Sequence, residues 1–415
     1  MWNRHVTQSM EKHKMPDERY KRNLIFYLSL IGFFGIFTTT MAKNPVLPLF
    51  VKGMGGTPEI IGIISAVSPI AGIVFSFPIG VMSDRIGRRK ILLLSGSVFL
   101  LAPLLYVLVS DPWLLIPVRF FHGLATAILG PVASAAIAEA YDRDKGEKLG
   151  TYSSVTLIGR TIAPIAGGAI LSFFLYQGGL FPYKAVYVAA FIASIPAFLF
   201  CFFIKDAEGR QQSKRPTREE FRESLRYFFG DGRLVSTALA DMSIYFAFGA
   251  FETYLPLYLD GKGFDPKQIG LIFSAQILTI ALTKPLFGRL ADRIDKRFQI
   301  AAGLLMIAAS MFALPFFTTT VSVIAVSLLF GLGMSLATVA TSAYTGDIAD
   351  RGKLGASMGA LSSVMDVGHS SGPAVTGFVV GYVSMQAGFF ASVVLCVAVA
   401  IIFVMLTSVK KPVRS

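Results

Sequence analysis

The feature that most constrains this chain is the recurrence of apolar runs about twenty residues long, the length an α-helix needs to cross roughly 30 Å of hydrocarbon. Twelve such runs are present, at about 23–50, 59–82, 91–109, 112–139, 150–175, 185–204, 234–259, 268–290, 300–317, 320–347, 354–382 and 387–407. Lipid offers no water to backbone N–H and C=O groups, so each run must close its hydrogen bonds within itself. The expected fold class is therefore all-α integral membrane, with twelve transmembrane helices in two six-helix bundles. Charged residues make up 15% of the 415 and hydrophobic ones 54%, against roughly 25% charged in soluble domains, which argues against a water-soluble globule.

The longest polar stretch, 205–233, separates six runs from six. It divides the chain into an N-terminal segment 1–22, a bundle 23–204, the linker, a second bundle 234–407 and a tail 408–415. The first 22 residues carry six Lys/Arg and have no apolar core with a small-residue cleavage site, so they do not read as a cleavable signal peptide. Basic loops resist translocation. With both termini cytoplasmic, the inside segments hold thirty Lys/Arg and the outside loops four: Lys52, Lys184, Lys262 and Lys267. A multi-pass protein of the cell membrane with both termini inside is expected. The net charge of +13 sits in these short loops rather than on a solvated face, so no nucleic-acid partner is expected. Cys201 and Cys396 each lie within an apolar run without a second Cys or a His at ligand spacing, which suits packing rather than a disulfide or a metal site.

The second half repeats the first at an offset of 208 to 209 residues. Pro48 matches Pro256, Gly80-x-x-x-Asp84-Arg85 matches Gly288-x-x-x-Asp292-Arg293, and Gly123 matches Gly331. After one inserted residue, Gly150, Gly159, Pro164 and Gly168 match Gly359, Gly368, Pro373 and Gly377. Two bundles related by a pseudo-two-fold axis along the membrane normal are expected.

The segment Gly80-Val-Met-Ser-Asp84-Arg85-Ile-Gly87-Arg88-Arg89-Lys90 joins the second and third runs. Gly80 permits close backbone approach, Gly87 a tight turn, Asp84 a bond at a nearby helix N-terminus, and the basic run contact with an anionic surface. It resembles the signature loop of the major facilitator superfamily, and Gly288 to Arg297 is its degenerate echo. In the fourth run, Arg119-Phe-Phe-His122-Gly123 is similar to the Arg-x-x-Gln-Gly element of proton-coupled exporters in that superfamily, with His122 in place of Gln. In the fifth, Gly150, Gly159, Ala163-Pro164, Gly167 and Gly168 fall at the spacing of the antiporter motif of the drug:proton antiporter family. Asn44-Pro45-Val-Leu-Pro48 resembles that family's proline pair. The resemblance implies alternating access by rocking of the halves. It also implies two charge triads acting as a conformational switch, Asp84, Arg88 and Glu139 in one half and Asp292, Lys296 and Asp347 in the other, with Arg85, Gly80 and Gly288 in the same loops.

Ionisable residues at membrane depth cost several kcal/mol unless they face a partner or a cavity, so they are functional candidates. They are Lys43, Arg119, His122, Arg160, Asp241, Glu252, Lys284, Asp366 and His369. Asp241, Tyr245, Phe248 and Glu252 recur at helical spacing, with an acid at each end of an aromatic face. His369 is the repeat mate of Arg160, which suggests that the two face each other across the gap between bundles. Each candidate also has a plainer reading. Lys43, Glu252 and Lys284 fit snorkelling to a surface, His122 fits a satisfied core histidine, and the aromatic face fits packing.

The expected function is secondary transport, namely proton-coupled efflux of a small amphipathic organic compound. Asp241, Glu252 and Asp366 are the candidate proton carriers, and Lys43, Arg119 and Arg160 allow an anionic or zwitterionic substrate. An uptake symporter or facilitator for sugars or organic acids is the alternative. An embedded receptor or enzyme is a further one, disfavoured because His5, His13, His122 and His369 supply no metal-ligand spacing. No cofactor beyond a proton gradient is expected, the partners are substrate and bilayer, and a monomer suffices. Because the signature loop acts on the interface between halves, Asp84→Asn and Gly80→Val should abolish transport while membrane insertion, read by fractionation, stays intact. Near-normal transport by both would remove the loop from the mechanism.

Overall fold

The computed structural model describes residues 18–141, 144–206 and 218–408. The terminal segments 1–17 and 409–415 and part of the linker, 207–217, lie outside the described residues, as do the surroundings of Gly80 and the side chain of Asp84. The first span is two helices, α1 (Glu18–Lys43) and α2 (Val46–Gly53), broken at Asn44-Pro45. The N-terminal half continues with α3 (Pro58–Ile86), α4 (Arg88–Leu108), α5 (Leu115–Ala140), α6 (Lys145–Phe174) and α7 (Phe181–Cys201). After α8 (Arg218–Gly230) come α9 (Gly232–Asp260), α10 (Pro266–Ala291), α11 (Lys296–Ala313), α12 (Thr320–Ile348), α13 (Leu354–Tyr382) and α14 (Met385–Ser408). Among the described residues, eleven stretches are long and apolar enough to cross a membrane. The twelfth span, α13, has 29 residues but is diluted by Gly and Ser and by Asp366 and His369. The expected all-α membrane fold of six spans on each side of a linker is thus what the chain forms.

The linker is more structured than its polarity suggests. Its helix α8 buries Phe228 against Leu234, Ala238 and Leu361 of the C-terminal half. Glu223 pairs with Lys353 at 2.7 Å, and this hydrogen bond holds the Glu223 carboxyl below its usual range. The Tyr227 hydroxyl accepts from the Asp350 amide at 2.9 Å.

The halves meet through two helix pairs, α3 with α13 and α6 with α10, and small residues govern how closely. A Cβ added at Gly62 or Gly270 would strike the carbonyl of Pro373 or Pro164 respectively, and one at Gly168 would strike the Pro266 carbonyl. At Gly377 it would lie 2.8 Å from the Pro58 carbonyl. These contacts form two sets related by the repeat offset, so the pseudo-two-fold axis runs between them. Between helices in lipid, van der Waals packing and hydrogen bonds replace the hydrophobic drive, and glycine lets backbones approach. The Pro kink is reused as well: the Ile165 N–H donates to Ser274 Oγ at 3.2 Å.

All these contacts sit on the face opposite the linker. There Lys52 pairs with its repeat mate Asp260 at 2.6 Å, Ser172 donates to Asp265 at 2.7 Å, and the Tyr254 hydroxyl reaches the carbonyls of Pro58 (2.9 Å) and Pro373 (3.0 Å). Toward the linker face the pairs diverge, and a Cβ at Gly150, Gly355 or Gly359 would meet nothing within 4 Å. The chain is closed on the far face and open on the linker face. A wedge at the far face should reverse that preference. Gly168→Val is expected to lower severalfold the yield of a short-reagent cross-link between Lys52→Cys and Asp260→Cys, whereas Gly150→Ala leaves it unchanged; equal yields from both would show that the crossing does not set the state.

Candidate functional site: a charged cavity between the halves

Where α1 breaks, its last residue Lys43 and the following Asn44 meet Glu252 of α9. Lys43 Nζ lies 2.6 Å from Glu252 Oε2, Asn44 Nδ2 donates to Glu252 Oε1 at 2.7 Å, and His369 Nε2 of α13 lies 3.1 Å from Glu252 Oε2. Lys43 Nζ is also 3.4 Å from the same ring nitrogen. The snorkelling reading of Lys43 and Glu252 is therefore wrong, because both turn inward and neutralise one another. Asn44 and Glu252 are repeat mates, which places this cluster on the pseudo-two-fold axis at the apex of the opening.

His369 belongs to this apex rather than to a direct pair with Arg160. Its ring packs 5.5 Å from that of Phe248 and 6.2 Å from that of Tyr245, centroid to centroid, so the aromatic face of α9 borders the charged cluster. Arg160 of α6 stays within electrostatic reach of Lys43, Tyr245, Lys284 and His369, without a hydrogen bond or ion pair among the described residues. Asp241, nearer the linker face on α9, is buried and accepts from Thr341 of α12 at 2.8 Å; Lys284 of α10 is within electrostatic reach. Asp366 is half-buried and lines a cavity of about 1030 Å³ between α3 and α13, with Gly72, Pro78, Pro131, Phe229 and Gly359 around it.

Arg119 and His122 lie apart from this opening, inside the N-terminal half. Both are buried. His122 has Thr39 Oγ1 at 3.1 Å and the Tyr106 hydroxyl at 3.3 Å, which is the satisfied core histidine, and the Tyr106 hydroxyl also lies beside Arg119.

Of the switch residues, Arg88 and Glu139 form a two-pronged ion pair, and their repeat mates Lys296 and Asp347 pair at 2.8 Å. Each pair lies within its own half and is intact in this conformation, open at the linker face. Arg85 and Asp292 are exposed, and a Cβ at Gly288 would meet only Val339 at 3.9 Å. Gly87, at φ 113°, makes the turn that only glycine tolerates well. The acceptor at the adjacent helix start is Asp206, which takes the Arg89 amide at 3.0 Å. In the antiporter-like motif, a Cβ at Gly159 would lie 2.6 Å from the Phe33 carbonyl and one at Gly167 3.0 Å from that of Met41. Those two pack on α1 of their own half, Gly168 meets α10 of the other, and a Cβ at Gly150 would meet nothing within 4 Å.

The contact of Asn44 with Glu252, the roles of Thr341 and Asp206 and the Lys52–Asp260 pair are not among the sequence expectations. For two of these a signal existed, since Asn44 with Glu252 and Lys52 with Asp260 stand at the repeat offset. A buried ion pair is costly to break from one side, about 3–5 kcal/mol. Glu252→Gln or Lys43→Met alone should each lower unfolding stability on that scale, and the double variant should lose less than either; strict additivity in a denaturation cycle would deny the pairing.

The Major Facilitator Superfamily model matches residues 28–268 and 262–415. An uncharacterized MFS-type transporter of Methanocaldococcus jannaschii is 23% identical over 371 residues, 88% of this chain and 94% of that protein. Multidrug resistance protein 2 of Bacillus subtilis is 26% identical over 384 residues, 89% of this chain and 93% of that protein. The fold is also that of a solved bacterial homolog of the human lysosomal transporter Spinster, in an inward-facing and unoccupied conformation, with a TM-score of 0.79 at 16% identity over 95% of this chain and 98% of that one. With two bundles related by a repeat, a closed and an open face, and a charged cavity between them, this chain belongs to the Major Facilitator Superfamily and is a multi-pass membrane transporter of small molecules rather than an enzyme.

Proposed function

We propose that this transporter exports a small amphipathic organic compound in exchange for protons, working as a monomer in the plasma membrane with both termini in the cytoplasm. The observation that carries the reading is the position of Asp366, unpaired among the described residues and lining the cavity that opens to the linker face. When the halves rock, the far face must part and the linker face must close, so such a carboxylate passes from a wet to a sealed surrounding. Its proton affinity changes with that passage, which is what coupling needs. Asp241, buried beside Thr341, and Glu252, held in the apex cluster, are the other two carboxylates able to take the role. The export direction is supported by the helix α6 glycine motif and by the multidrug resistance relative. The orientation is supported by the thirty Lys/Arg on the linker side against four on the other.

Parting the far face would break the Lys43–Glu252 and Lys52–Asp260 pairs together. A substrate or proton that satisfies Glu252 or Lys43 in their place would lower that barrier, and so would tie binding to opening. The test is transport of compounds selected by thermal shift, in proteoliposomes with an imposed pH gradient. Asp366→Asn should retain binding and downhill exchange but lose accumulation against a gradient, with Asp241→Asn and Glu252→Gln as matched comparisons. Uphill transport with unchanged pH dependence in all three would reject carboxylate coupling and favour a facilitator.

A further inference from the structure

Four cations lie at membrane depth, away from the span ends: Lys43, Arg119, Arg160 and Lys284. Lys43 is paired with Glu252, and Arg119 is enclosed within the N-terminal half beside Tyr106, its buried Nε without a hydrogen-bond partner among the described residues. Arg160 and Lys284 are both solvent-accessible and have no hydrogen bond or ion pair among the described residues.

Their helices face one another. On α6, Arg160 is one turn from Pro164 and two from Gly167, so the three share a face, and Pro164 meets Gly270 of α10 in a backbone contact. On α10, Gly270, Ile277 and Lys284 recur every seven residues, so Lys284 shares the side of Gly270. Arg160 stands about 6 Å and Lys284 about 21 Å toward the linker face from the crossing, at ~1.5 Å per residue. The two positions are thus about 15 Å apart along the helices, and Arg160 is within electrostatic reach of Lys284. Asp241 is felt by Lys284 but lies outside ion-pair distance of it, engaged with Thr341. Two like charges exposed on neighbouring helices, one within the field of the other, repel unless an anion joins them.

We propose that Arg160 and Lys284 are the receptor for the substrate's charged group, and that the exported compound is an amphipathic organic anion, a carboxylate or sulfonate with an apolar body resting on Tyr245 and Phe248. The proposal rests on the exporter reading. It assigns charge recognition to α6 and α10, and leaves Asp366, on the opposite wall, to the proton. Arg160 supplies a planar fork suited to an oxyanion and Lys284 a point charge.

The experiment uses the full chain in lipid nanodiscs and two probes with the same ring and opposite charge, naphthylacetate and naphthylmethyl-trimethylammonium, titrated calorimetrically. Naphthylacetate is expected to bind and the ammonium probe not to. Arg160→Gln and Lys284→Gln should each weaken naphthylacetate binding about tenfold or more, while Arg160→Lys and Lys284→Arg keep most of it. Unchanged melting of the variants shows that loss of binding is not loss of fold. The proposal is overturned by equal or tighter binding of the ammonium probe, by no naphthylacetate binding at millimolar concentration, or by Gln variants that bind like the parent. Proton exchange in proteoliposomes separates the two readings: if the ammonium probe is exported against protons, the exporter stands, Asp366 becomes the anchor, and the anion receptor falls.

Discussion

Glycine against carbonyl at two helix crossings is the constraint on which the rest of this molecule depends. Gly62 and Gly377 on the α3–α13 side, and Gly270 and Gly168 on the α6–α10 side, bring backbones so near that no side chain fits between them. In lipid, where apolar side chains gain little by leaving hydrocarbon for protein, such close packing and the hydrogen bonds beside it supply the association. Because the close contact is confined to the far face, the two halves form a V, and the cavity on the linker face is the geometric consequence.

The same closeness makes the apex lock possible. Glu252 and Asn44 are buried and Lys43 and His369 largely so, so each charge must be satisfied by the others. Repeat mates meeting at the axis, Asn44 with Glu252 and Lys52 with Asp260, are what a pseudo-two-fold predicts for residues near it. Divergence between mates is then where function is written. Arg160 and His369 occupy equivalent places, yet one is left exposed and the other is engaged at the lock.

Much of the candidate site was legible residue by residue and little of it as an arrangement. Cost at membrane depth singled out Asp241, Glu252, Asp366, Arg160 and Lys43 because an ionisable group in an apolar run is anomalous whatever surrounds it. Whether Lys43 snorkels or pairs depends on which way a side chain turns near a helix end, and that is set by Glu252, 209 residues away. Likewise His122 and His369 look alike in sequence, but Thr39 and Tyr106 satisfy one while the other lies against Glu252. The pairs Arg88–Glu139 and Lys296–Asp347 were legible within their halves, but the exposure of Asp292 was not, because the offset gives equivalence and not surroundings.

By itself the sequence determined the twelve spans, the division at the linker, the two-fold repeat and the family, since each follows from local length, composition or spacing. Backbone satisfaction in lipid forces a long apolar run to be a helix regardless of its neighbours. Only the tertiary structure decided which face is closed, which charges neutralise one another and which have no partner among the described residues. Those outcomes depend on contacts between residues one or two hundred positions apart, made through a few ångströms of glycine-permitted approach that no local pattern encodes.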